Sequence, residues 1–472
     1  MSGATLERRL ANFRAGTRHF APSPPDRARS AMLAERMASA VDGQIVAGDA
    51  GVVVRCEPFT VVLPIDRERL ATLPGQPPPD APLVCLDTET TGLATAAGTV
   101  AFLVGLGWWE GDRFKQAQLL LPDNSDEPAL LAAIAAHIPP NAWLVTYNGR
   151  GFDWPLLVTR YRMARSHPPV HAGHLDLLPF VRRVFRHRMT NARLQTVESE
   201  LLGLERHEDV GGWEIPGRYL DFLRLGLAEP LIAVVRHNRE DVRSLARLLA
   251  HVDVMFGDAA ARPSAHRGDL AGLARAFSRE RRLVEALDCL DTAVARAPFR
   301  ASGASIADAA PVRVRETAVV PWWAPGGVVD YGGSPEARRD EPSRLHLDSP
   351  WTEERILIER ARVLRRLGRF DEAAAAWEAL AAGIGPFAAQ AWIEVAKLRE
   401  HRLADPHGAL EAVDRAIAIV NRRRALGRRD PKVETQLAER RARLSKRLLA
   451  RRGPQLQAEG ASLGRLGASV GN

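Results

Sequence analysis

The chain has 472 residues, and 65 Lys+Arg against 57 Asp+Glu give a formal charge of +8. At about 150 residues per domain that length corresponds to roughly three units, and 46% apolar with 26% charged residues excludes wholesale disorder, a collagen-like rod and a coiled coil. Cys56, Cys85 and Cys289 are far apart with no CxxC or CxH spacing, so they build neither a disulfide framework nor a zinc module and point to a reducing compartment. The first twenty residues mix charges without the apolar core of a signal peptide, and no later stretch reaches the ~18 uncharged apolar residues that span a bilayer. The expectation is a cytoplasmic protein with no membrane partner. Residues 421–453 hold 13 Lys/Arg and 3 Asp/Glu, a local +10, so the rest of the chain nets −2 and the basic character belongs to one end.

In chain order, residues 1–80 read as an N-terminal arm followed by a small strand-rich region, including Val52-Val53-Val54 and Thr60-Val61-Val62. The run from Thr72 to Pro82 carries five prolines, whose fixed φ and missing amide donors break regular structure, so a new domain is expected near residue 81. From there three apolar strands are predicted at 83–87, 100–109 and 114–121. A helix over 127–138 follows, with acidic residues at its positive end. Then come a strand at 142–147, a helix at 154–164, a strand at 174–178 and helices to about 255. Three meandering strands followed by alternating helix and strand specify an α/β fold, a mixed sheet covered by helices.

The C-terminal half is rich in Ala, Leu and Arg. A first helical pair over 262–298 carries Leu270, Leu273, Ala274, Phe277, Ala286, Leu290, Ala293 and Pro298 at the signature positions of a 34-residue helical hairpin. Further copies in 353–420 carry Leu357, Ala361, Leu364, Ala373 and Trp377, then Trp392, Val395, Ala396, Ala409, Val413 and Ala416. These resemble tetratricopeptide repeats; an unrelated helical bundle is the alternative. A Gly/Pro-rich insertion at 299–352 separates the first copy from the second, and 421–472 form a basic tail.

The chemistry concentrates in three stretches. In Leu86-Asp87-Thr88-Glu89, side chains two apart on a strand share a face, so Asp87 and Glu89 present adjacent carboxylates that call for a cation. In Tyr147-Asn148-Gly149-Arg150-Gly151-Phe152-Asp153, a turn delivers Asp153 to a helix start, where capping alone would also explain it. In His237-Asn238-Arg239-Glu240-Asp241, helical spacing puts His237 and Asp241 on one face, although a solvated polar face fits too.

Together these residues resemble the catalytic set of DEDD-type 3′-to-5′ exonucleases on a ribonuclease H-like fold. Asn148 to Leu157 is similar to the second exonuclease motif of proofreading polymerases, and His174-Leu175-Asp176 and Leu194 to Gly203 resemble the intervening segments. As a whole the chain looks most like the YprB-like proteins, in which such a domain precedes tetratricopeptide repeats, strongly over 81–255 and weakly over 262–420. His237 departs from the pattern: it sits four residues before the last aspartate, the spacing that tyrosine-type members use.

The resemblance implies two divalent cations, Mg²⁺ or Mn²⁺, held by Asp87, Glu89, Asp153 and Asp241, with Asp87 bridging, Asp153 acting through water and His237 activating the attacking water. It implies that Leu93 and Phe152 pack on a terminal base, with Thr90 and Asn148 at the substrate. Arg182, Arg183, Arg186, His187, Arg188 and Arg193 form a candidate phosphate track, as do Arg440, Arg443, Arg447 and Arg451 on one stripe of the tail. Asp176 is expected to orient the site. The partners implied are a DNA or RNA end, DNA slightly favoured, and a protein docked on the repeats, by resemblance a superfamily 2 helicase in DNA processing or repair. The rival reading is a non-catalytic adapter that binds a nucleic-acid end; undiminished strand degradation by an Asp87→Ala variant would favour it.

Overall fold

The computed structural model describes residues 26–92, 98–206, 209–295, 317–318, 353–382 and 386–467, so Leu93, Pro298 and most of the 299–352 insertion lie outside the described residues. The first element, α1 (Arg27–Val41), is capped by Asp26, which accepts from the Arg29 amide, and buries Leu33, Ala34, Met37, Ala38 and Val41 at helical spacing. The hairpin β1 (Gly43–Gly48) and β2 (Gly51–Val62) comes next, then α2 (Arg67–Ala71). The meander β3 (Leu83–Thr90), β4 (Ala101–Glu110) and β5 (Arg113–Leu120) follows. Beyond it lie α3 (Glu127–Ala136), β6 (Trp143–Thr146), α4 (Asp153–Met163), β7 (Gly173–Asp176), α5 (Leu177–Val184), α6 (Leu194–Val197), α7 (Ile215–Leu225) and the long α8 (Leu231–Val252).

All the strands join one mixed sheet in the order β1-β2-β5-β4-β3-β6-β7. From β1 to β3 the neighbours are antiparallel, whereas β3, β6 and β7 run parallel. Strand period two divides the apolar residues between the faces. Leu83 and Cys85 pack with Val145, Val242 and Leu245 on one side; Val84 and Leu86 pack with Leu144, Leu130 and Leu157 on the other. Cys85 is therefore core, as expected from its strand position. A two-residue strand within the insertion, β8 (Thr317–Ala318), pairs with β2.

The expected division near residue 81 needs correcting. The proline run interrupts the chain without ending the fold, because β2 hydrogen-bonds to β5 and its Val53, Val54 and Cys56 are buried in the same layer as Leu86 and Leu103. A strand partner 51 to 66 residues away in sequence outweighs a local break. The expected strand at 174–178 also ends early: Asp176 caps α5 by accepting from the Leu178 amide, turning Leu177 and Leu178 into helix.

The C-terminal part is helical. Here α9 (Arg267–Arg279), α10 (Leu283–Ala295), α11 (Glu353–Arg366), α12 (Phe370–Ala381), α13 (Ala388–His401), α14 (Pro406–Ala425) and α15 (Pro431–Gly467) each pack on the next, and α9 also packs on α5. Ala274, Phe277, Ala286, Ala361, Leu364, Ala373, Trp377, Ala396 and Ala409 are buried between these helices, while Leu357 is partly exposed. The arginine stripe of the tail is partly committed elsewhere. Arg440 and Arg443 both bind the buried carboxylate of Glu400 on α13, at 2.5 and 2.8 Å, which takes these two out of the expected phosphate track.

Glycines on β4 let α8 approach the sheet closely. Gly105 on β4 stands opposite Asp87, and a Cβ there would lie 2.4 Å from Asn238 Oδ1 and 2.6 Å from Val242 Cγ2. Gly105→Ala should therefore cost about 1–3 kcal/mol by overpacking, read as a lower urea midpoint at unchanged slope; an unchanged midpoint would mean that α8 has room to retreat.

Candidate active site

The sequence-selected carboxylates come from the middle of the sheet and the two helices flanking it. On β3, Thr88 and Thr90 are buried while Asp87 and Glu89 remain partly exposed, the alternation expected where a strand edge opens into a cleft. Asp153 is the first residue of α4 and is 6% exposed; its Oδ1 accepts from Thr88 Oγ1 at 2.5 Å. His237 and Asp241 project from one face of α8, with His237 Nε2 3.7 Å from Asp241 Oδ2 and 4.0 Å from Glu89 Oε1. Between them Asn238, fully buried, donates from Nδ2 to Asp87 Oδ2 at 2.8 Å.

The electrostatics follow from this crowding. Burial, then repulsion from Asp241 and Asp153, holds the Asp87 carboxyl well above the usual range, against the opposing pull of the Asn238 hydrogen bond. Glu89 is raised in the same way by burial and by Asp87, Asp241 and Asp153. Asp153 is pushed up to about 6, mainly by burial, even though Thr88 bonds to it. Charges contributed from β3, α4 and α8 thus act on one another across a shared pocket.

A cation already offsets part of that charge. Arg206, in the irregular segment after α6, grips buried Glu198 through Nε at 2.7 Å and Nη2 at 2.5 Å, donates to Asp241 through Nη2, and reaches Asp209 at 3.2 Å. Asp209 in turn lies 2.7 Å from His237 Nδ1. Arg206 Nη1 approaches the same nitrogen at 3.3 Å, and the other ring nitrogen, Nε2, faces Glu89 and Asp241. Sequence reasoning missed Arg206, Asp209 and Asn238, and gave Glu198 no role. Asn238 had a positional signal, one residue beyond His237 in the chosen motif. Arg206 and Asp209 had none, because their segment has no regular period.

The other expected site residues are distributed unevenly. Asn148 sits at φ 68, a left-handed turn position that asparagine tolerates, and its amide donates to Asp176 Oδ1 at 2.8 Å. Asp176 also accepts from the Arg150 amide at 3.2 Å, so it ties the turn before Asp153 to the end of β7, an orienting role. Phe152 is partly exposed beside Asp153. Thr90 is buried and donates to the Gly92 carbonyl at 2.6 Å. Arg182 and Arg186 are exposed, Arg186 bonding to the Thr190 carbonyl. Arg188 instead forks onto buried Asp269 of α9, a structural pair.

Residues 84–253 match the model of the RNase H superfamily. Over that stretch the fold is ribonuclease H-like. The chain is also 40% identical over 172 residues to "Uncharacterized protein YprB" of Bacillus subtilis (strain 168), covering 36% of this chain and 41% of that relative, so the likeness spans about two fifths of the relative's length. An RNase H-like domain suggests nuclease chemistry, nucleic-acid binding and the use of divalent metal ions. The donor set is of the kind such ions take: hard carboxylate oxygens, of which Asp87 and Glu89 are raised by burial and then by neighbouring negative charge that a dication would offset. No described helix is long and apolar enough to cross a membrane.

Two outcomes follow. For Asp153, a folded-state pKa raised to about 6 means that the native state binds the extra proton, so its contribution favours folding at low pH and is lost as pH rises from about 4 to 6. Without divalent ions, the Asp153→Asn variant should gain stability relative to the parent as pH climbs through that window in urea titrations; parallel curves would refute the shift. Arg206→Ala should cost about 3–5 kcal/mol at neutral pH, because it strands Glu198 as an unpaired buried charge. Recovery of most of that loss in the double variant Arg206→Ala/Glu198→Gln would identify the Glu198 charge as the main cause, and no recovery would reject it.

Proposed function

We propose that residues 81–255 act as a metal-dependent 3′-to-5′ exonuclease on nucleic acid, with DNA somewhat favoured over RNA, in DNA processing or repair. What supports this reading most is the electrostatic crowding of Asp87 and Glu89 with Asp153 and Asp241, near an imidazole that lies 2.7 Å from Asp209. A site that only held a strand end would have no use for four carboxylates near the phosphates, where they repel the ligand.

In this reading Asp87, Glu89 and Asp241 hold divalent ions directly, Mg²⁺ or Mn²⁺, and Asp153, already bonded to Thr88, acts through water. The ions, when bound, make a water nucleophilic at neutral pH and neutralise the departing oxyanion. His237 Nε2 accepts the proton of the attacking water, and Asp209 on Nδ1 orients the ring and stabilises the imidazolium that forms. Asn238 fixes the Asp87 rotamer through its bond to Oδ2. Arg206 neutralises Asp241 in the absence of a cation and stays anchored on Glu198 when it lets go. Exposed Arg182 and Arg186 meet the backbone phosphates, and Phe152 stacks on the terminal base. The successive helices from α9 to α14 are tetratricopeptide-type hairpins that dock a protein partner, such as a superfamily 2 helicase.

End-labelled single strands of DNA and RNA incubated with Mn²⁺, Mg²⁺ or EDTA should give ladders shortening from the 3′ end, in the metal samples alone. Asp87→Ala should abolish cleavage, and His237→Ala should slow it by roughly 10²–10⁴-fold, the usual scale of proton-transfer catalysis. Asp209→Asn should lower kcat with little change in KM. Internal nicks, or activity retained by Asp87→Ala, would overturn the assignment.

A further inference from the structure

A second cluster of ligating side chains lies away from the carboxylate pocket, where the helical region meets the sheet domain. His187, in the turn after α5, and His266 and Asp269, at the start of α9, bring one ligand atom each to within 4.8 Å of one another. His187 Nε2 lies 3.1 Å from His266 Nδ1 and 3.3 Å from Asp269 Oδ1. Bonds of about 2.0–2.2 Å at tetrahedral angles separate the ligand atoms of a zinc ion by roughly 3.3–3.5 Å, so both separations lie within a few tenths of an ångström of ligand spacing.

The protons are disposed for a metal as well. His187 Nδ1 lies 3.1 Å from the Val184 carbonyl and His266 Nδ1 accepts from the Gly268 amide at 3.1 Å. A proton on His187 Nδ1 satisfies Val184 and leaves the bare Nε2 facing the lone pairs of His266 and Asp269. A proton on Nε2 answers one of those and leaves Nδ1 facing a carbonyl oxygen. Neither neutral tautomer satisfies both sides, and burial of the ring, 1% exposed beside Arg188, disfavours the doubly protonated form. A cation at the meeting point resolves the conflict by taking over the lone pair now shared with Gly268.

The surroundings match a ligand shell. A ligating imidazole commonly donates its other N–H to a backbone carbonyl, as His187 does to Val184, and Arg188 orients Asp269 with bonds of 2.7 and 3.1 Å. Gly268 leaves space for the ring: a Cβ there would lie 2.3 Å from His187 Nε2. His266 is exposed, which gives an ion an entry path and a water as fourth ligand.

We propose that His187, His266 and Asp269 form a binding site for a zinc-class divalent cation that clips α9 to the turn following α5. Two imidazoles select Zn²⁺, Co²⁺ or Ni²⁺ over Mg²⁺ and Mn²⁺. Arg188 on the shared carboxylate opposes the ion, so the site is weaker than an all-protein structural zinc centre. The carboxylate pocket of β3, α4 and α8 is separate from it.

The test uses the untagged full chain in excess Mg²⁺, titrated with Zn²⁺ by calorimetry and with Co²⁺ by its visible ligand-field absorption. The parent and Asp87→Ala should each bind one Zn²⁺ with histidine-type Co²⁺ bands, and the ion should raise the melting temperature. His266→Ala, at an exposed position, should bind at least tenfold more weakly and lose both the bands and the thermal shift. His266→Gln, which keeps side-chain bulk at the helix start, should behave alike if ligation is the cause. Equal binding by the parent and both His266 variants, loss of binding in Asp87→Ala alone, or no binding at micromolar free zinc would each overturn the site.

Discussion

Negative charge in a half-closed pocket is the constraint around which this domain is arranged. Burial holds the Asp87, Glu89 and Asp153 carboxyls above their usual range, and the charges of Asp153 and Asp241 push Asp87 and Glu89 further. Such a group stays folded only if protons, a guanidinium or metal ions answer it. Arg206 is the answer within the chain. Its anchoring on Glu198, with extensions to Asp241 and Asp209, explains why the irregular segment after α6 folds back over α8.

The rest of the architecture serves that meeting point. Parallel pairing of β3 with β6, and of β6 with β7, puts the Asp87/Glu89 end of β3 next to the turn that starts α4. Asp176 at the end of β7 holds that turn by two amides, which fixes where Asp153 emerges. Gly105 lets α8 settle close to β4, so that Asn238 reaches Asp87 and the His237/Asp241 face lies over the carboxylates. Each of these residues acts on the pocket through position, and a change at any of them would reach the chemistry indirectly.

Much of this was legible in the sequence because it rests on short-range periods. Alternation along a strand pairs Asp87 with Glu89, four-residue spacing on a helix pairs His237 with Asp241, and apolar runs mark β3, β4, β5 and β6 as buried. What escaped depends on contacts far apart in the chain. Arg206 and Asp209 lie in a segment with no period, so no pattern could tie them to α8. The proline run before residue 81 was read as a boundary because its local effect is strong, whereas the pairing of β2 with β5 across it depends on the whole sheet. In the tail, regular arginine spacing described a helix face correctly but could not reveal the buried Glu400 that claims two of its members.

The claim that these carboxylates await divalent ions is tested most directly by the anomalous scattering of crystals soaked in Mn²⁺. Manganese peaks are expected within coordination distance of Asp87, Glu89 and Asp241, with the Arg206 guanidinium withdrawn from Asp241 while still bonded to Glu198. A pocket without manganese under saturating ion, with Arg206 still on Asp241, would contradict it.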